Sequence, residues 1–375
     1  MKLMDCRLVH ILQTYAGYQK TGVSLIEFDG ASLLPFSAAD DIGIYIFIPK
    51  LASLLQIPIQ QTINLFFYGL VSAAWLIGLV GFFFYYQTLL PRLISFVGLT
   101  LICLFSLTIG DTYLFYTICP VALIPWSLYF STKKMSPVSY LFFFLAGITI
   151  MFSHYARAHA GLASLFFISW LLITQKKYSL KKKTITLCLL LLGLYLPVIY
   201  VNYTYKNYNS FLKQNNITDP FIGITNHMLW HPIYAGLGFL SFKNTDNIRW
   251  GDSFAAQKAQ SINPNAHYNT PAYEKVLKNE IIKLIKTNPT FIIATIFAKL
   301  GILLLYLVIF ANIGLIVAFF YPKPWQIETA FWGAFVLSSA FPLLVLPITE
   351  YSLGFITFAA LYGITSINKL LSNSS

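Results

Sequence analysis

Charge is what this sequence has least of. Only 10% of its 375 residues are Asp, Glu, Lys or Arg, while 57% are apolar; soluble proteins carry roughly 25% charged residues. That balance excludes an ordinary soluble domain and fits a chain that crosses a membrane repeatedly. Cysteine is scarce as well. Cys6, Cys103, Cys119 and Cys188 show no paired spacing and the last three lie in apolar segments, which excludes a disulfide framework and a zinc site. Acids are scarcer than bases, 13 against 25. In so apolar a chain the net charge of +12 reads as membrane topology, not nucleic-acid binding. Nothing in the opening stretch MKLMDCRLVHILQTYAGY resembles a signal peptide, since it is too polar for a targeting core followed by a cleavage site.

What is present is a series of long apolar runs. A bilayer needs about 20 apolar residues per helix. Candidates fall at 63–86, 93–109, 112–131, 138–156, 159–174, 184–202, 291–320, 329–347 and 351–367. The expectation is an all-α integral membrane protein, a bundle of about nine spans. Its parts are a first segment at 1–62, a six-helix region at 63–202, one large loop subdomain at 203–290 and a three-helix region at 291–375.

Basic residues orient these spans. Arg92, Lys133, Lys134, the run KKYSLKKK at 176–183, Lys323 and Lys369 fall in alternate connections, which the positive-inside rule places in the cytoplasm. The other short connections hold only Arg157 as a basic residue, so 1–62 and 203–290 are expected outside. Abundant Lys, Ile and Asn with little Arg suggests an AT-rich bacterial genome, hence a bacterial inner (cytoplasmic) membrane. Residues 1–62 must then reach the outer side with no span before them. The expectation is an upstream helix, or else carriage of the tail by the helix that follows.

Within PFSAADDIGIYIFIP, residues 35–49, two adjacent acids head an aromatic run. Asp40 with Ser37 fits a helix capping box; the sharper reading makes Asp40 and Asp41 the catalytic carboxylates of an outer-face site. Other polar residues are expected on the same face. Asp111 in IGDTY either caps a helix or belongs to the site, and Arg157 either reaches to the interface or belongs to it. His154 and His159 lie five residues apart, which suits hydrogen bonding better than metal ligation. His227, Trp230 and His231 open NHMLWHPIYAGLGF, and Asp252 follows. Trp230 and Tyr200, Tyr203, Tyr205 and Tyr208 read as an interfacial belt. Gly236 and Gly238 lack the flanking pattern of a phosphate loop.

Two features of the later chain complete the candidate site. Tyr273, Val276, Leu277, Ile281, Leu284 and Ile285 recur at helical spacing after Thr270-Pro271, which predicts an amphipathic helix near 272–286 on the outer leaflet. Lys299 lies inside an apolar span, roughly 12 Å from its outer end at 1.5 Å per residue. An ammonium there has to reach outward, pair with a carboxylate, or meet an anion such as a lipid phosphate.

In layout the chain resembles the GT-C superfamily of polytopic membrane glycosyltransferases. The resemblance is carried by Asp40-Asp41 ahead of IGIYIFIPKLASLL, by Gly110-Asp111 in a tight turn and by Arg157 at a span end. It implies a sugar donor on a polyprenyl phosphate, a cell-envelope acceptor, and a first-loop acid acting as general base or metal-associated carboxylate. A divalent metal ion thus stays open, with no cofactor assigned. By their chemistry, carboxylates suit the acceptor's proton, and Asp111, Arg157, His159, His231 and Lys299 are the candidates for holding substrate or phosphate. Membrane lipids and the lipid-linked donor are the expected partners; nucleic acid is not. The competing readings are a lipid or sugar transporter or flippase, which would need inverted repeats and midplane polar groups, and a non-catalytic envelope-assembly subunit.

Overall fold

The computed structural model describes residues 5–38, 41–218, 228–240, 247–268 and 270–373. Apart from a two-stranded ribbon their regular elements are helices, and the chain divides into two compact units. The first comprises residues 1–218, 307–338 and 353–375; the second comprises 219–306 and 339–352.

The first unit opens with α1 (Asp5–Thr21), then strands β1 (Glu27–Phe28) and β2 (Leu33–Leu34), paired antiparallel with Glu27 opposite Leu34. The Asp29 carboxylate closes the ribbon's turn, accepting from the Ala31 and Ser32 amides at 2.8 Å each. Those backbone bonds hold its carboxyl below the ordinary value. Then follow α2 (Ile42–Leu55), α3 (Ile59–Tyr85), α4 (Leu89–Ile109), α5 (Phe115–Thr132), α6 (Pro137–Ala156), α7 (Leu162–Thr174) and α8 (Leu180–Gln214). The second unit holds α9 (Trp230–Leu237), α10 (Asp252–Ile262) and α11 (Pro271–Thr287). The last four helices, α12 (Pro289–Ala311), α13 (Ile313–Phe320), α14 (Trp325–Leu344) and α15 (Thr349–Asn373), follow; all but α13 have residues in both units.

Among the described residues eight helical segments are long and apolar enough to cross a membrane: α3, α4, α5 with the turn before it, α6, α8, α12, α14 and α15. The expected span at 159–174 is the exception. It forms the 13-residue α7, about 20 Å at 1.5 Å per residue and short of a hydrocarbon core of about 30 Å. The expected span 291–320 is divided at Asn312, whose φ of 43° breaks α12 from α13.

At the core of the first unit, α5 is buried along almost its whole length. Thr117 on α5 meets Thr357 on α15 at 2.9 Å, and Asn368 on α15 donates to the Pro91 carbonyl and the Ser95 hydroxyl of α4. Between α6 and α8 the backbones touch at glycine. A Cβ on Gly147 would lie 2.3 Å from the Leu190 carbonyl oxygen, and one on Gly193 would lie 2.1 Å from that of Phe144. Small residues allow such an approach where no hydrophobic force drives helices together.

Two sequence readings need correction here. The apolar stripe of α11 does not face lipid: Tyr273, Leu277, Ile281 and Leu284 are buried against α9 and α10 in a core shared with Ala255, Ala259 and Tyr234, and Ile285 is left exposed. Nor do all the late tyrosines form a belt. Tyr208 is buried and its hydroxyl accepts from the Phe36 amide at 3.1 Å, while Tyr200 accepts from Lys50 at 2.7 Å.

The glycine contact yields a test. Gly193→Leu is expected to separate α6 from α8 and lower the unfolding midpoint in detergent by the equivalent of at least 1–3 kcal/mol, the usual overpacking penalty. An unchanged midpoint would show that these backbones do not touch.

Candidate functional site

The first unit buries two acids and two arginines together. On α1, Arg7, Ile11 and Thr14 share one face at i, i+4 and i+7, and all three are buried. The face therefore carries a cation inward among apolar neighbours. Asp41 immediately precedes α2, Asp111 follows Gly110 in the turn after α4, and Arg157 ends α6.

Asp41 Oδ2 is the meeting point. Arg7 Nη2 lies 2.9 Å from it and Arg157 Nη1 also 2.9 Å, and the Thr112 hydroxyl donates to it at 3.0 Å. Arg7 Nη1 donates to Asp111 Oδ2 at 2.7 Å, and the Thr112 amide donates to Asp111 Oδ1 at 2.6 Å. Both guanidinium groups lie over the Tyr113 ring, Arg157 at 4.4 Å and Arg7 at 5.6 Å from its centre. Among the described residues two acids face two arginines here. Burial alone would lower the Arg7 pKa, but the carboxylates of Asp41 and Asp111, against the opposing Arg157, raise it above the ordinary arginine value.

The backbone carries strain at the same residues. Asp41 has φ 59° and ψ 39°; Asp111 has φ 58° and ψ −168°, a region normally left to glycine. Each such conformation costs on the order of 1–3 kcal/mol and persists where the surroundings enforce it, often at functional sites. The two acids also differ. Both Asp111 oxygens accept hydrogen bonds, whereas Asp41 Oδ1 is buried with no hydrogen-bond partner among the described residues.

Ser37 does not stand at the start of α2. α2 begins at Ile42, Asp41 makes no side-chain cap, and the Ser37 hydroxyl donates to Glu27 Oε2 at 2.9 Å. Asp40 and His227 lie outside the described residues. Asp111 caps the short turn, as one of its two readings had it, and also pairs with Arg7. Arg157 is not an interfacial snorkeller; it is buried on Asp41. His159 sits exposed in the turn after Arg157 with φ 66°, its amide donating to His154 Nδ1 at 3.2 Å, so this pair shapes the turn. Arg7 escaped sequence reading; its visible signal was its i, i+4, i+7 spacing with Ile11 and Thr14.

His231 and Lys299 belong to the second unit. His231 is buried between the Tyr273 hydroxyl at 2.6 Å and Asp252 Oδ1 at 3.1 Å. Burial, added to by nearby Tyr268, Asp252 and Glu274, raises the Tyr273 phenol above its ordinary value. Glu274 takes the start of α9, accepting from the Leu229, Trp230 and His231 amides at 2.9, 2.9 and 3.0 Å.

Lys299 is 1% exposed, and its ammonium donates to the carbonyls of Leu343, Leu344 and Val345 at 3.1, 3.3 and 2.9 Å. Three donors meet three acceptors at the C-terminal end of α14, where the helix dipole favours a cation. The expected phosphate contact is therefore corrected: this lysine caps a helix, with neither a carboxylate nor a free donor in play. Gly236 explains itself here, since a Cβ would come 2.3 Å from the Val345 carbonyl oxygen.

The described residues hold no group of three or more His, Cys, Asp or Glu suited to a metal ion. Asp41 and Asp111 together do not fit a divalent ion, because both already face guanidinium groups that would repel it. Comparison with protein-family models, curated proteins and solved structures finds no match.

Lys299→Met is expected to leave three helix-end carbonyls buried without a donor, at about 1–3 kcal/mol for each group so orphaned. Its unfolding midpoint in detergent should fall clearly, with binding of a polyprenyl phosphate unchanged. Weakened lipid binding at an unchanged midpoint would restore the phosphate role.

Proposed function

We propose that the protein is a membrane glycosyltransferase of the GT-C type, moving a sugar from a polyprenyl-phosphate donor to a cell-envelope acceptor on the extracytoplasmic side of a bacterial inner membrane. The observation that carries this reading is the asymmetry of Asp41. Three donors hold Oδ2 in place, and Oδ1 is left for an acceptor hydroxyl.

In the proposed step the acceptor oxygen attacks the anomeric carbon and its proton passes to Asp41 Oδ1. The bond from that carbon to the phosphate oxygen breaks, and the phosphate leaves with the electron pair. A positioned base contributes about 10²–10⁴-fold to such a step. Arg7 and Arg157 act as positioning residues for the carboxylate. They are not assigned to the donor phosphate, because both are engaged by acids. Lys299 has no part in this scheme.

A second reading has its own support. The Asp41 side chain has no exposed surface, so the cluster can also be read as a staple in a non-catalytic envelope-assembly subunit. The two readings differ in what one atom does. Asp41→Asn keeps the shape, replaces one oxygen by an amide and removes the base. In vesicles given labelled polyprenyl-phosphate sugar and envelope extract, the enzyme reading expects the wild type to transfer label. The asparagine variant should transfer at least 10²-fold less at a temperature where circular dichroism shows both folded. Absence of transfer by the wild type, or retained transfer by Asp41→Asn, selects the staple.

A further inference from the structure

Seven lysines from two separate connections meet at one end of the first unit. Lys133 and Lys134 follow α5, Lys176 and Lys177 follow α7, and Lys181, Lys182 and Lys183 form the opening turn of α8. Tyr178 ties the connections together. Its buried hydroxyl donates to the Phe130 carbonyl and, at 3.1 Å, to that of Lys133. Lys183 in turn donates to the Ile173 carbonyl, which fastens the start of α8 to the end of α7. Burial lowers the Lys177 ammonium below its ordinary value, and the charge of Lys133 lowers it further.

Nothing within the described chain neutralises this patch. Its ion pairs use Arg7, His10, Arg157, His231, Lys258 and Lys323, and none uses any of the seven. The contacts they do have are neutral, with Lys133 5.4 Å from the Tyr129 ring centre and Lys177 5.7 Å from that of Tyr178.

Helix dipoles divide the seven. Lys133, Lys134, Lys176 and Lys177 follow helix C-termini, where cations are favoured. Lys181, Lys182 and Lys183 sit at the N-terminal, positive end of α8, which has no acid in its first turn and no side-chain cap from Ser179. For the isolated chain that arrangement is unfavourable on both counts: like charges gather, and they gather at the wrong pole. An anion from outside the chain removes both penalties. The place of the patch says which anion. It follows α5 and begins α8, two helices of membrane-spanning character, so it lies at the depth of lipid headgroups.

We propose that this seven-lysine surface binds the phosphate headgroups of anionic phospholipids. The inference is independent of the glycosyl-transfer reading. It concerns the opposite end of α5 from the turn holding Asp111, and it makes the lipid an ordered ligand as well as a solvent.

The test uses full-length protein in phosphatidylcholine vesicles with a minor share of phosphatidylglycerol, and electron spin resonance of spin-labelled forms of each lipid. The wild type is expected to hold the phosphatidylglycerol probe several-fold above the phosphatidylcholine probe, with the preference falling as salt is raised. In Lys181→Gln/Lys182→Gln/Lys183→Gln the two probes should approach equal association, a several-fold loss of about the size expected for one lysine near an anionic surface. The arginine triple variant should retain it. Lys133→Gln/Lys134→Gln should lower it too, since both connections build the patch, and this pair together with the wild-type salt titration carries the test where the triple variant does not insert. Lys275→Gln/Lys283→Gln in the second unit should leave it unchanged. Equal association of both probes with the wild type, or full preference in the glutamine variants, overturns the proposal. Displacement of the lipid probe by millimolar inorganic diphosphate at fixed ionic strength overturns the lipid assignment in favour of a soluble phosphate.

Discussion

The first unit is organised around one oxygen atom. Asp41 Oδ2 draws its three donors from α1, from the turn after α4 and from the end of α6, contacts that span 71 and 116 residues of chain for Thr112 and Arg157. In a buried setting these groups are interdependent. Removing one partner of a buried ion pair costs about 3–5 kcal/mol, chiefly because the other charge is left uncompensated. The amphipathic face of α1, the left-handed residue before α2 and the glycine-like backbone of Asp111 are all positions this cluster requires. Arg7 has a further consequence for the N-terminal segment. It ties a helix of mixed polarity into the bundle, because its guanidinium pairs with both Asp41 and Asp111.

The second unit follows the same rule with backbone groups in place of side chains. Lys299 supplies donors to the end of α14, and Glu274 supplies acceptors to the start of α9. Helix ends leave several carbonyls or amides without partners, and those groups are costly to bury. A full charge placed at each end satisfies three of them at once and matches the sign of the dipole. Gly236 sits against the same carbonyls that Lys299 binds, so the packing of α9 and the cap on α14 form one arrangement.

Most of the helices were legible in the sequence because lipid imposes length and apolarity together. Seven of the nine expected spans match helices of sufficient length, and an eighth, 291–320, contains one broken at Asn312. The failure at 159–174 has a physical origin: hydropathy measures transfer to lipid, and α7 is apolar because much of it is buried against protein. The stripe of α11 misled in the same way, since periodicity reveals an apolar face without naming what covers it. Site residues were legible only as isolated charges. Asp41, Asp111 and Arg157 stood out against an uncharged background, yet no local pattern could say that the acids and the arginine neutralise each other. That pairing is tertiary. Lys299 was visible as an anomaly, but its partners are backbone carbonyls, which every residue has and no sequence marks.

The difference between the two aspartates bears on how the cluster should be understood. A counter-ion kept only for stability gains from having every oxygen satisfied, and Asp111 meets that condition, with a guanidinium on one oxygen and an amide on the other. Asp41 concentrates three donors on one oxygen while the other lies buried without one among the described residues. An unsatisfied buried acceptor costs about 1–3 kcal/mol, and it is added here to the strain of a left-handed backbone. Both penalties fall on the same residue. Arg7, Thr112 and Arg157 hold the carboxylate with one oxygen among three donors and the other facing none among the described residues, an arrangement that a proton-accepting role would use.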